Sequence, residues 1–277
     1  MIESSVPLAG VVAPSAAQDD APVGEFSTSE IAGFEQDGFV IARQLADAAT
    51  CRQMLECARA VLAAPSGPLE YEADLHYPGA PGSRAAAGGN TIRRLKEAHG
   101  RHPVFTQFVS QARLVRRLRQ LLGPHIVMPL AHHNCVMTKQ PRYSSETGWH
   151  QDIRYWSYAR PELVSIWLAL GRERPDNGCL YLIPGTHTLA VSRERLDEAL
   201  FLRSDLPENA ALIAKKVPAE LDPGDVLFFH SRTFHSAGRN QTGDTKFSAV
   251  FTFRPLDNPP KPGGRSAAMA ELLLPLV

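Results

Sequence analysis

The chain has 277 residues, with 29 basic and 29 acidic side chains and therefore no formal net charge at neutral pH. That balance excludes association driven by a strongly cationic surface, as with nucleic acid or an anionic membrane. No apolar run reaches the roughly 20 residues needed to span a bilayer. Cys51, Cys57, Cys135 and Cys179 form no C-x-x-C pair and no regular framework, so reduced thiols in a cytoplasmic protein are expected. The start of the chain lacks a basic segment followed by an apolar core and does not read as a signal peptide.

Residues 1–25 are rich in Ala, Ser, Pro and Val without periodicity. Such a segment buries too little apolar surface to offset its ordering entropy, so a disordered tail is expected there, with a single domain over 26–277. Ser27 and Glu30 have the spacing of a capping box. Ile31 and Phe34 give the helix that follows an apolar stripe, and Gly38 ends it. Phe39, Val40 and Ile41 read as a strand. A second helix is expected over 47–62, with Leu55, Ala58, Val61 and Leu62 on its buried side, closed by Pro65.

Residues 69–90 carry Pro78, Gly79, Pro81, Gly82, Gly88 and Gly89. A loop of that length in a compact domain reads as a lid or a disordered segment. Two helical stretches follow over 103–122, the second with Arg113, Arg116, Arg117 and Arg119 on a face best read as solvated. From Ile126 the period changes to short β-branched and aromatic runs at 131–138, 163–170, 180–183, 214–217, 225–230 and 247–253. That cadence predicts antiparallel β-structure. The fold class expected is mainly β with flanking helices, a double-stranded β-helix (jelly-roll) core with N-terminal helices packed on it.

On an extended strand His150 and Asp152 face the same way and offer an imidazole and a carboxylate to one cation. A second imidazole from His235 would complete two histidines and one carboxylate with open positions opposite, the donor set of non-haem Fe(II) oxygenases. His/Asp/His suits Zn²⁺ as well, so a zinc hydrolase stays open. A jelly-roll protein that binds a metal or small molecule without turnover also stays open. Alone, one H-x-D among ten histidines is a weak signal.

Further segments strengthen it. FEQDGFV at 34–40, GWHQD at 148–152, VSIWLAL at 164–170, NGCLYLIPGTH at 177–187, GDVLFFH at 224–230 and HSAGRN at 235–240 occur in this order. Together they resemble the phytanoyl-CoA dioxygenase family of 2-oxoglutarate oxygenases. The resemblance implies a jelly-roll core, Fe(II), O₂ and 2-oxoglutarate as co-substrate. It implies that His150, Asp152 and His235 ligate the metal and are the catalytic centre, with His235 in the H-x-x-G-x-N pattern. His230, five residues earlier, would face the other way on a regular strand and reads as packing, and His187 reads as structural. His132 and His133 start a core strand, from which one of them could point into the cavity.

The family usually grips the far carboxylate of 2-oxoglutarate with an arginine eleven residues after the distal histidine. Here that position is Lys246, a point charge in place of a bidentate fork, with Arg239 and Arg254 as alternatives. Ala237 replaces a small hydroxyl residue of the family. Trp156 corresponds to an aromatic that lines the co-substrate pocket, with plain core packing as its other reading. The retained carboxylate of Asp152 implies hydroxylation of an unactivated C–H, with release of succinate and CO₂, in preference to halogenation. The expected partner is a small molecule, with no nucleic acid and no membrane. Arg93, Arg94, Arg154 and Arg160 would suit a carboxylate or phosphate on that substrate, with a surface or ion-paired arginine as the other reading of each.

Overall fold

The computed structural model describes residues 23–277. The tail expected over 1–25 therefore lies outside the described residues except at its end. There Gly24 packs against Arg113, and the Val23 carbonyl accepts a hydrogen bond from Arg116. The first half of the chain forms α1 (Thr28–Asp37), β1 (Phe39–Ala42), α2 (Ala48–Ala63), β2 (Leu69–Tyr71) and β3 (Ile92–Lys96), then α3 (Ala98–Arg101), α4 (Pro103–Ser110) and α5 (Ala112–Leu122). The second half begins with β4 (Ile126–Pro129), β5 (Asn134–Lys139), β6 (Thr147–His150), β7 (Val164–Ala169) and β8 (Leu180–Leu182). After α6 (Pro207–Ile213) and β9 (Val217–Pro218) come β10 (Val226–His230), β11 (His235–Ala237), β12 (Lys246–Pro255) and β13 (Glu271–Leu273).

The strands form a nine-stranded sheet, ordered β1-β10-β7-β12-β5-β3-β2 with β4 paired to the end of β12 and β13 paired to β4, and a four-stranded sheet, β6-β11-β8-β9. All their pairings are antiparallel. Alternation along β12 shows how the layers are built. Phe247, Ala249, Phe251 and Phe253 face the helices, against Phe105, Phe108, Leu114 and Leu118 of α4 and α5. Val250 on the opposite face joins Trp167 and Phe229 of the large sheet and Leu180, Leu182 and Ala237 of the small one. The two sheets thus close a second apolar core between them, the jelly-roll arrangement.

Local expectations held at the start of the chain. Ser27 caps α1 in a capping box with Glu30, and Gly38 ends it at φ 82°. Asp47 caps α2 through the Thr50 amide. The buried face of α2 differs, however. Cys51, Met54 and Ala58 are buried, and Leu55, Val61 and Leu62 pack only partly against the core. The strand expected at 214–217 is also corrected. Pro207 starts a helix through Ile213, and only Val217 and Pro218 pair with β8. The Asn209 side chain anchors that helix by donating to the carbonyls of Arg195 and Arg203. Residues 69–90 include β2 and one short 3-10 turn before the glycine-rich stretch. None of the helices among the described residues is long and apolar enough to cross a membrane.

Candidate metal centre and its two cavities

The strand on which His150 and Asp152 were expected to share a face ends at His150, and Asp152 opens a 3-10 turn over Asp152–Tyr155. The two side chains still converge, from the last residue of β6 and the first residue of that turn. His235 stands directly across from His150 in the pairing of β6 with β11. The Nε2 atoms of His150 and His235 lie 3.8 and 3.6 Å from Asp152 Oδ1. One ligand atom from each of the three residues falls within 4.8 Å of the others. Ligand atoms at about 2.1 Å from a common ion sit roughly 3 Å apart when adjacent, so each ring needs to approach Asp152 by less than about an ångström, and the two rings need to close on each other somewhat further.

The tautomers suit that use. His150 Nδ1 is 2.8 Å from the Gly148 carbonyl and His235 Nδ1 is 3.0 Å from the Thr233 carbonyl. A carbonyl oxygen only accepts, so each ring carries its proton on Nδ1 and presents a bare Nε2. Burial, and the neighbouring ring and Arg154, hold the pKa of His150 well below its ordinary value. Burial likewise lowers that of His235. Burial works against ionisation of Asp152, but His133, His235 and His150 outweigh it and keep the carboxyl well below the usual range. Ser165 donates to Asp152 Oδ2 at 3.3 Å and is itself paired with Thr252 on β12. Two neutral imidazoles and one carboxylate, each oriented by a second hydrogen bond, can hold one divalent ion.

The choice between His132 and His133 is decided by the turn before β5. His133 Nε2 lies 3.1 Å from Asp152 Oδ1. Burial opposes its charge, but Asp152 raises its pKa to about 9. His132 turns away to Ser266 and stacks on Trp156 with ring centroids 4.7 Å apart. His230 and His187 pair with each other, centroids 5.5 Å apart. His230 ends β10 in the large sheet and His235 opens β11 in the small one, so different sheets, and not alternation along one strand, separate them.

Two cavities meet at the triad. The inner one runs between the sheets to Lys139 and Lys246, with Arg93, Thr138 and Ala237 on its walls. The outer one opens past Tyr77, Tyr155, Trp156, His132 and Arg265. Arg94, His133, His150 and Asp152 line both. Lys246 thus lies on the inner wall, but its Nζ is 2.9 Å from buried Glu173. Lys139, which was not singled out from the sequence, is its cross-strand partner in the β5–β12 pairing. Burial, Arg93 and Lys246 push the Lys139 pKa down to about 7. Alternation along β5 opposite Lys246 was the signal available for finding it.

Trp156 is set on the outer wall and not on the inner one. The alternatives to Lys246 are excluded from the inner wall. Arg254 is bound to Glu271, and Arg239 donates to the carbonyls of Ser144 and Arg142. Of the four arginines weighed for the substrate, Arg160 takes its other reading, at the surface and paired with Asp257 and Glu162. Arg154 lies over the Phe201 ring at 4.0 Å and donates to the Leu200 carbonyl, pinning the segment that covers β6. Arg93 is buried against Ser145 and Thr147. Arg94 sits 3.3 Å from Glu70.

Comparison with known proteins agrees with this architecture. Ectoine dioxygenase of Sphingopyxis alaskensis is 25% identical over 258 residues, covering 87% of this chain and 78% of that protein. Phytanoyl-CoA dioxygenase domain-containing protein 1 of Bos taurus is 24% identical over 265 residues, covering 81% of this chain and 89% of that protein. Among solved structures, EctD from S. alaskensis with bound Fe superposes with a TM-score of 0.71 at 21% identity, over 94% of this chain and 92% of that one. The epimerase SnoN, in complex with Fe3+, alpha ketoglutarate and nogalamycin RO, gives 0.67 at 20% identity, over 84% and 85% of the two chains. These likenesses carry the jelly-roll fold. Residues 34–248 match the family described as Phytanoyl-CoA dioxygenase (PhyH). The chain belongs to that family, the Fe(II)- and 2-oxoglutarate-dependent oxygenases of the PhyH type.

Proposed function

We propose that this dioxygenase hydroxylates an unactivated C–H of a small molecule at a centre held by His150, Asp152 and His235. The observation carrying this reading is the convergence of two bare Nε2 atoms and one carboxylate oxygen at the junction of two cavities. Fe(II) bound there with 2-oxoglutarate would supply the oxidising power of O₂, with release of succinate and CO₂. The remaining work falls to this chain's own groups. Gly148 and Thr233 carbonyls fix the two rings, Ser165 and His133 hold the carboxylate, and Leu180, Phe229 and Val250 on the inner wall exclude water beside them. Asp152 fills the position that a halide would need, which favours hydroxylation over halogenation.

The inner cavity is assigned to the co-substrate, with Lys246 at its far end and Lys139 beside it. Trp156, stacked on His132, is assigned to the wall shared by the substrate and the metal centre. The outer cavity is assigned to the substrate. Aromatic walls with Arg94 and Arg265 suit an amphipathic molecule bearing an anionic group. Four free thiols favour a reducing compartment, in keeping with a cytoplasmic protein.

The test is anaerobic titration of the Fe(II)-loaded protein with 2-oxoglutarate, followed by the weak visible charge-transfer band. A screen of small organic acids for substrate-stimulated succinate release then follows. A rival, metal binding without turnover, draws on the pairing of Lys246 with Glu173 and is favoured if no band appears at saturating 2-oxoglutarate.

A further inference from the structure

Behind Lys246, outside the cavity wall, lies a carboxylate that the reaction as proposed does not use. Glu173 is fully buried, and its backbone is fixed by a two-way bridge to Leu221. Its oxygens receive the Trp167 indole N–H at 2.9 and 3.1 Å, the Ser248 hydroxyl, and Lys246 Nζ at 2.9 Å. Lys246 spends a second N–H on Ser248 Oγ at 3.3 Å, which leaves one N–H for the cavity. Across the β5–β12 pairing stands Lys139, whose Nζ donates to the Ser145 carbonyl at 2.7 Å. The far end of the cavity is therefore lined by two lysines, with one carboxylate behind the wall.

We propose that Glu173 is a specificity-determining positioning residue. It aims Lys246 and offsets its charge, so of the two lysines at the far wall Lys139 alone has no carboxylate partner among the described residues, and the cavity takes one carboxylate. The inference rests on assigning that cavity to 2-oxoglutarate. Glu173 does not touch the co-substrate. It acts through Lys246, and it repels the arriving carboxylate while holding the lysine that receives it. A like charge at this range in a protein interior is worth a factor of ten or more in affinity.

The sign of the effect separates this role from a purely structural one. Glu173→Gln keeps the shape and the acceptor for Trp167 and Ser248 but frees the Lys246 charge. It is expected to bind 2-oxoglutarate about tenfold more tightly in the anaerobic Fe(II) titration, while melting at a lower temperature without the co-substrate. Lys246→Met strands a buried carboxylate beside the site and is expected to lose detectable 2-oxoglutarate binding. The double variant Lys246→Met/Glu173→Gln, a neutral pair that removes the stranded charge, is expected to regain binding through Lys139. Unchanged or weaker binding in Glu173→Gln would overturn the proposal, as would a double variant no better than Lys246→Met. If the wild-type protein itself gives no band, the co-substrate assignment fails and this inference goes with it. Equal bands in wild type and Glu173→Gln sink the Glu173 role alone.

Discussion

His150 and His235, 85 positions apart in sequence (235 − 150), are direct partners across β6 and β11, and their ring centroids lie 4.2 Å apart. Sheet register, set by the apolar core between the two sheets, is what makes them neighbours. Removing either ring takes a donor from the cage. Removing His230, which ends β10 in the other sheet and packs on His187, takes none. His150→Ala and His235→Ala are therefore expected to lose Fe(II) affinity by more than the ~10–100-fold typical of a lost supporting hydrogen bond. His230→Ala is expected to keep it. Anaerobic calorimetry with Fe(II) decides this, and a metal-free His230→Ala beside a metal-binding His235→Ala would reverse the assignment.

The carboxylate is held from two sides, by His133 on Oδ1 and Ser165 on Oδ2. Neither is proposed as a ligand, so Ser165→Ala and His133→Phe should weaken metal binding about 10–100-fold without abolishing it. The same calorimetry applies. Wild-type affinity in both variants would mean that Asp152 is fixed by the backbone of its 3-10 turn alone.

Stability of the metal-free protein should fall as the solution is acidified, and His230 contributes to that slope. Burial, with His187 and Arg232 nearby, lowers its pKa to about 4 from an ordinary 6.5. Between those values the unfolded chain carries a proton that the folded chain refuses. The contribution is thus complete above about pH 6.5 and is lost as pH falls toward 4. His230→Asn should flatten the dependence of melting temperature on pH in that window. Parallel curves for the two proteins would show that His230 has no part in it.

Gly38 is a point where fold and site are tied. At φ 82° a Cβ would meet His187 Nδ1 at 2.5 Å and Thr233 Oγ1 at 2.6 Å. The Gly38 carbonyl accepts from the His230 amide and from Thr233 Oγ1, and the Thr233 carbonyl holds the His235 ring. Gly38→Ala should cost at least about 1–2 kcal/mol from backbone strain alone. It should also reduce metal affinity by shifting Thr233. Thermal melts and metal titration check the two effects separately, and a variant with wild-type values in both would refute the link.

Much of this was legible along the chain because it is local. The capping box at Ser27 and Glu30, the glycine that ends α1, and the alternation of β12 depend on neighbours within a few residues, and backbone geometry dictates them. The H-x-D pair was legible for the same reason, even though a turn and not a strand delivers Asp152. What tertiary structure alone decided involves charges and rings brought together over long separations. His133 rather than His132 meets Asp152 because of how one turn enters β5. Lys246 meets Glu173, 73 residues away, because an ammonium is buried at lower cost beside a counter-charge once the sheets close around it. No local pattern records that requirement, since desolvation exists only after the two sheets have packed.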